Sequence, residues 1–136
     1  MACTLLPLPA RATPVALAEA MAERYGNRPR QQGKVALQIP ALAENGHSVA
    51  LAVTVASPMT EADHVQAIDI WSEANPLPLI ARFTLSPDSG EASVRTRVRL
   101  ADSQVLTAVA ALSDGSLWQG TAKTIVTLAA CTDFLI

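Results

Sequence analysis

Cysteine and histidine are scarce in this chain of 136 residues, with two of each. A multi-disulfide scaffold is excluded, and so is a four-cysteine zinc site. His47 and His64 leave little material for a metal centre, and none is expected. There is no basic excess: Lys and Arg total 10 against 12 Asp and Glu, a net charge of −2. A nucleic-acid binder should show the opposite balance, and a polybasic membrane signal is missing too. No apolar run reaches the roughly 20 residues of a membrane-spanning helix. A Gly-rich phosphate loop, Gly-x-Ser-x-Gly and His-x-x-x-His are all absent, so no familiar catalytic motif is present. Aromatics make up only 4%. What is there is aliphatic: hydrophobic residues reach 50%, enough for one packed domain filled by Ala, Val and Leu.

Residues 1–12 hold a short apolar stretch and the small-x-small triplet Ala10-Arg11-Ala12. That is the tail of a secretory leader with a signal-peptidase site, though the charged start of a full leader is missing. The alternative is an ordinary N-terminus. On the leader reading the mature chain begins near Thr13 outside the cytoplasm, and Cys3 is removed.

Thr13-Pro14 is a helix start, a capping hydroxyl followed by proline at the first helical position. The pattern predicts a helix over about 14–25, with Val15, Leu17, Ala18, Met21, Ala22 and Tyr25 on its apolar face and Glu19, Glu23 and Arg24 off it. Gly26-Asn27 stops it, and residues 28–33 read as a polar linker. From Lys34 the period becomes two. Apolar alternation at Val35–Ile39, Val49–Val55, Ile68–Ile70, Ile80–Leu85 and Val94–Leu100 is followed by the apolar run Val105–Leu112. A last strand spans Leu117–Leu128, and turn signals fall every 8–12 residues. The expectation is all-β: an immunoglobulin-like antiparallel β-sandwich of about seven strands with an N-terminal helix. Its parts are residues 1–12 as leader remnant, 13–33 as helix and linker, 34–128 as sandwich and 129–136 as a C-terminal arm.

Little in this frame is chemically suggestive. Asp63 and Glu61 are close enough in sequence to orient His64, but a polar loop explains the segment as well. His47 follows a turn and reads as solvent-exposed. Arg95, Arg97 and Arg99 share one strand face by period two. They suit an anion or an acidic partner, or simply a solvated face balanced by cross-strand carboxylates. No catalytic residue is assigned. Cys131 stands out, three residues beyond the last strand. A free thiol is a few per cent thiolate at neutral pH, enough for slow sulfur chemistry. No activating base is near in sequence, so Cys131 is a poor catalyst and a usable attachment point. The other reading is an inert cysteine on a packed tail.

Several blocks carry a resemblance: Leu42-Ala43-Glu44-Asn45-Gly46, Ser57-Pro58-Met59-Thr60-Glu61-Ala62-Asp63 and Glu73-Ala74-Asn75-Pro76. Further on come Arg95-Thr96-Arg97-Val98-Arg99-Leu100-Ala101, Val109-Ala110 and Ser113-Asp114-Gly115. In this order, residues 34–131 resemble SoxY, the sulfur-carrying subunit of the bacterial thiosulfate-oxidising Sox system. The resemblance implies a periplasmic protein paired with a SoxZ-like subunit. It also implies that sulfur intermediates ride covalently on Cys131 while other Sox enzymes, including a haem-containing conjugating enzyme, do the chemistry. No cofactor beyond that sulfur is implied. The family's arm is Gly-Gly-Cys-Gly-Gly. Here Ala129 and Ala130 replace the first pair of glycines, Thr132 and Asp133 the second, and Phe134-Leu135-Ile136 follows. Alanine adds a Cβ and removes the positive-φ conformations of a thin arm. A SoxY-like scaffold that pairs with a SoxZ-like partner and carries no sulfur is the alternative.

Overall fold

The computed structural model describes residues 13–128. Among the described residues there is one α-helix, α1 (Pro14–Tyr25), which begins where Thr13 Oγ1 accepts from the Ala16 amide at 3.0 Å, and one short 3-10 turn at Pro87–Ser89. Nine strands follow among the described residues: β1 (Arg30–Gln32), β2 (Val35–Gln38), β3 (Leu42–Ala43), β4 (Val49–Val55), β5 (Val65–Ser72), β6 (Leu79–Thr84), β7 (Ser93–Val98), β8 (Gln104–Leu112) and β9 (Leu117–Val126). They form two sheets. The larger has the order β1-β9-β8-β5-β6, with β3 also on β9; the smaller is β2-β4-β7. The seven longer strands are those the alternation predicts, and the sandwich is immunoglobulin-like.

Two elements differ from expectation. Residues 28–33 are not all linker, because Arg30–Gln32 pairs in parallel with Leu117–Gln119. Leu42–Ala43 pairs in parallel with Ile125–Val126. The sandwich is therefore not wholly antiparallel: β9 is flanked along one edge by two short strands from the first third of the chain. Both are too short and too non-local to show a period.

The main core lies between the sheets. Leu51 and Val53 of β4 meet Ile68 and Ile70 of β5 and Leu106, Ala108 and Ala110 of β8, all essentially buried. A bulge at Gln66 resets the parity of β5, so Val65 and Ile68 both point inward. Gly120 of β9 lies where β2 crosses; a Cβ there would meet the Val35 carbonyl oxygen.

The outer face of the large sheet is covered by α1. Leu17, Ala20, Met21 and Tyr25 pack on Trp71, Val109 and Leu117. This stripe, with Arg24, follows i, i+3, i+4, i+7, i+8 spacing. It corrects the predicted face: Val15 is 68% exposed, and Ala18 and Ala22 are exposed as well. Arg24 turns inward because Asp69, on the outer face of β5, receives it. Asp69 Oδ2 accepts from Arg24 Nε at 3.0 Å and from the Tyr25 hydroxyl at 2.5 Å. Oδ1 receives no hydrogen bond but faces Arg82 Nε at 3.5 Å. Trp71 Nε1 donates to the Tyr25 oxygen at 2.9 Å, and the two rings meet edge-on. Burial and the neighbouring carboxylate raise the Tyr25 hydroxyl well above its ordinary pKa.

Candidate functional site at the base of the C-terminal arm

Cys131 and its flanking Ala129, Ala130, Thr132 and Asp133 lie outside the described residues, as do residues 1–12. The structure does describe what holds the chain immediately before them. Residues 124–128 are clamped from two sides. On one side, Thr124 Oγ1 donates to the Pro40 carbonyl at 2.7 Å, and the Thr127 amide donates to the Ala43 carbonyl at 3.0 Å. The Thr127 hydroxyl donates to the Glu44 carbonyl, and the Gly46 amide donates to the Leu128 carbonyl at 2.8 Å. On the other side, the Val126 amide donates to Ser103 Oγ at 2.8 Å.

Gly46 is the keystone. Its carbonyl accepts from the Leu100 amide at 2.8 Å. A Cβ at this position would fall 2.5 Å from the Leu100 oxygen and 3.0 Å from the Leu128 oxygen. Only glycine lets the chain before the arm approach the 99–101 segment this closely.

The 99–101 segment is itself tethered. Asn75 Nδ2 donates to the Arg99 carbonyl at 2.7 Å, and Asn75 Oδ1 accepts from the Ala101 amide at 2.8 Å and from Gln104 Nε2 at 3.1 Å. The Ser72 hydroxyl donates to Gln104 Oε1, and Glu73 Oε1 accepts from the Val105 amide at 2.9 Å. Asn75, Gln104 and Ser72 are all buried, so their polar groups must be paired internally, and they are. The blocks 42–46, 73–76 and 95–101, scattered through the sequence, thus join in one platform that holds residues 124–128.

Of the three arginines, Arg95 and Arg97 stand together on the outer face of β7. The residues opposite them on β4 are Ala52 and Ala50, not the carboxylates a balanced face would offer. Arg97 Nη1 donates to Ser48 Oγ at 3.1 Å. With Gln38, Ile39 and Pro40 they border a shallow groove of about 530 Å³. Arg99 lies past the end of β7 and lines a neighbouring cleft with Pro76, Leu77 and Ile80.

The histidines contribute little. His64 Nδ1 lies 3.0 Å from the Thr60 carbonyl oxygen, within the turn that Thr60 and Asp63 close by mutual backbone bonds. That agrees with a polar loop. His47 is half-buried rather than exposed, and its amide donates to Asn45 Oδ1 at 2.9 Å. Among the described residues, no group of three or more His, Cys, Asp or Glu side chains is placed to hold a metal ion, and no helix is long and apolar enough to cross a membrane.

Sequence reasoning takes Glu44-Asn45-Gly46 as a turn, has Asn75 only within a resembling block, and does not find Ser103 or Gln104. Their bonds span many residues and leave no local pattern. The available signal is the set of resembling blocks, whose shared location the fold supplies.

Residues 21–131 match the family described as sulfur oxidation protein SoxY. The chain belongs to the SoxY family. The sulfur carrier protein SoxY from Chlorobium limicola f thiosulfatophilum superposes with a TM-score of 0.68 at 28% identity, covering 82% of this chain and 96% of that one. A superoxide reductase (neelaredoxin) from Ignicoccus hospitalis reaches a TM-score of 0.61 at 18% identity, over 85% of this chain and 94% of that one. The superoxide reductase from Nanoarchaeum equitans reaches 0.58 at 15% identity, over 70% and 99%. At these identities the superoxide reductases share the fold alone. No curated protein matches the chain.

Proposed function

We propose that this SoxY family member is a periplasmic sulfur carrier, with Cys131 as the attachment thiol and no catalysis of its own. The observation that supports this best is the platform: a rigid, hydrogen-bonded base ends at Leu128, three residues before Cys131. Three extended residues reach about 10 Å. A thiol on so short a lever from a fixed base can be presented to other enzymes without unfolding anything.

Loading is an oxidative step. The Cys131 thiolate forms a sulfur–sulfur bond with the sulfane sulfur of a thiosulfate-type anion. Two electrons leave to an oxidant, for which the haem-containing conjugating enzyme is proposed. The thiol proton goes to solvent. Partners conjugate, oxidise and hydrolyse the cargo, while the carrier holds it. A SoxZ-like subunit is proposed as the pairing partner, and export rests on the Ala10-Arg11-Ala12 triplet.

Intact-protein mass spectrometry on chain purified from its own source, with and without reductant, tests the reading. A reductant-removable gain of sulfur or of a thiosulfate-like group on Cys131, absent in Cys131→Ser, is the expected result. A clean thiol in cells actively oxidising sulfur compounds would instead support the scaffold without cargo, which the loss of the arm's glycines favours.

A further inference from the structure

The two sheets do not end together. β2 crosses β9 at Gly120, and β4 packs on β5 and β8. β7, the last strand of the small sheet, faces β6, the last of the large one, across a cleft of about 500 Å³. One wall of the cleft is apolar: Leu77, 71% exposed, with Ile80 and Ala81. The other is β7 itself, with Arg97 and, beyond the strand, Arg99.

The direction of each backbone group on β7 follows from its pairing with β4. The Val55 amide donates to the Ala92 carbonyl at 2.8 Å. Antiparallel bonding alternates, so in the register of these strands Val94, Thr96 and Val98 exchange bonds with β4. The amides and carbonyls of Ser93, Arg95 and Arg97 then point to the opposite edge, where no strand pairs among the described residues. Further along, the same edge is occupied by a side chain. Asn75 Nδ2 donates to the Arg99 carbonyl at 2.7 Å, and Asn75 Oδ1 accepts from the Ala101 amide at 2.8 Å. Asn75 stands in for a neighbouring strand there, and the edge before it is left open.

We propose that the open edge of β7 receives an extended segment of a partner protein in which acidic and apolar residues alternate. The side chains of Arg95 and Arg97 face outward, so residues paired with them face outward too, with Cβ atoms about 5 Å apart. Carboxylates suit those positions, since β4 offers Arg95 and Arg97 only Ala52 and Ala50 on the other side. The intervening residues point inward over Leu77 and Ile80, where apolar side chains are needed. A second copy of this chain fits poorly. Edge to edge it would set arginine against arginine, and like charges directly opposite are destabilising.

The test is hydrogen exchange, read residue by residue on the full chain, with a capped peptide of alternating Val and Glu as the probe. Without peptide, the Arg95 and Arg97 amides should exchange faster than those of Val94 and Thr96. With peptide at about ten times its Kd, both should slow by about tenfold. The double variant Arg95→Glu, Arg97→Glu should bind this peptide at least about tenfold more weakly and bind a Val–Lys peptide instead. Both positions are exposed, and a thermal melt checks that the variant stays folded. No slowing at about 1 mM peptide overturns the proposal and leaves the arginines as guards of an open edge. Equal affinity in the double variant overturns it, as does equal slowing by the same peptide with every amide N-methylated, which keeps the charge and removes the donors. Slowing at Arg82 of β6 instead would move the site to the other sheet, and slowing on concentrating the protein alone would make the occupant a second copy. The pairing does not rest on the carrier reading, and exchange is read without cargo, so either can fail alone.

Discussion

The outer faces of the two sheets are built on opposite principles. The face under α1 is sealed: β5 is buried on both sides for nearly its whole length, and its outward Asp69 and Trp71 are 3% and 2% exposed. The face of β4 alternates strictly, buried then open, with alanines and Thr54 outward. Sealing a charged residue requires compensation, because a buried carboxylate without partners costs several kcal/mol. The cluster of Arg24, Tyr25 and Arg82 supplies it. The open face needs none, since Arg95 and Arg97 keep their hydration. One face is committed to stability, and the other is left available for contact.

Asp69→Ala should break the contrast most sharply. It leaves Arg24 and the Tyr25 hydroxyl without their acceptor beneath the helix, and a loss of about 3–5 kcal/mol is expected, read from urea unfolding. A loss under about 1 kcal/mol would mean the cluster is decorative. Next comes Gly46→Ala, which forces the Leu100 and Leu128 carbonyls apart. About 1–3 kcal/mol should be lost, and amide exchange at Thr127 should accelerate more than at Leu51 in the core. Unchanged protection at Thr127 would show that the platform yields without losing its grip on residues 124–128.

Tyr25→Phe removes two buried hydrogen bonds, the one donated to the Asp69 carboxylate and the one accepted from Trp71 Nε1, and should cost about 1–3 kcal/mol at neutral pH. It should also change the alkaline limb. The folded Tyr25 hydroxyl titrates above its ordinary value of 10.0, so the stability linked to it is complete below that pH and is lost as pH rises through the folded value. Above pH 10 the wild-type protein should lose up to about 1.4 kcal/mol per pH unit on this account. Tyr25→Phe should flatten that slope, and parallel profiles would assign the alkaline loss to other groups. On the open face, Arg95→Ala should change the free energy of unfolding least, by less than about 0.5 kcal/mol. A larger loss would mean that this face is not free of structural duty.

The same contrast explains what the sequence makes legible. In β4, Val49, Leu51, Val53 and Val55 announce a half-buried strand because one side faces water. The helix is legible in its ends but not in its face. Arg24 belongs to the buried stripe only because Asp69, 45 residues away, receives it, and a long apolar stem lets arginine lie against a sheet. β1, of Arg30, Gln31 and Gln32, shows no period, because an edge strand needs backbone pairing rather than apolar side chains. At the arm, Cys131 stands out by its position beyond the last strand. The clamp on residues 124–128 does not, since Gly46, Asn75 and Ser103 bond backbone groups far away in the chain.

The pairing of β9 bears on synthesis. This strand lies between β8 on one side and the parallel pair β1 and β3 on the other, so the large sheet stays open until it arrives. Contacts of such long sequence separation form late. While the chain folds, the core residues of β5 and β8 stay exposed until β9 joins them. A chain broken off before Leu117 leaves that sheet incomplete and its apolar face uncovered, a substrate for proteases. Closure of the fold thus inspects the C-terminal end of the described chain: a protein that has folded is one in which residues 124–128 have been clamped.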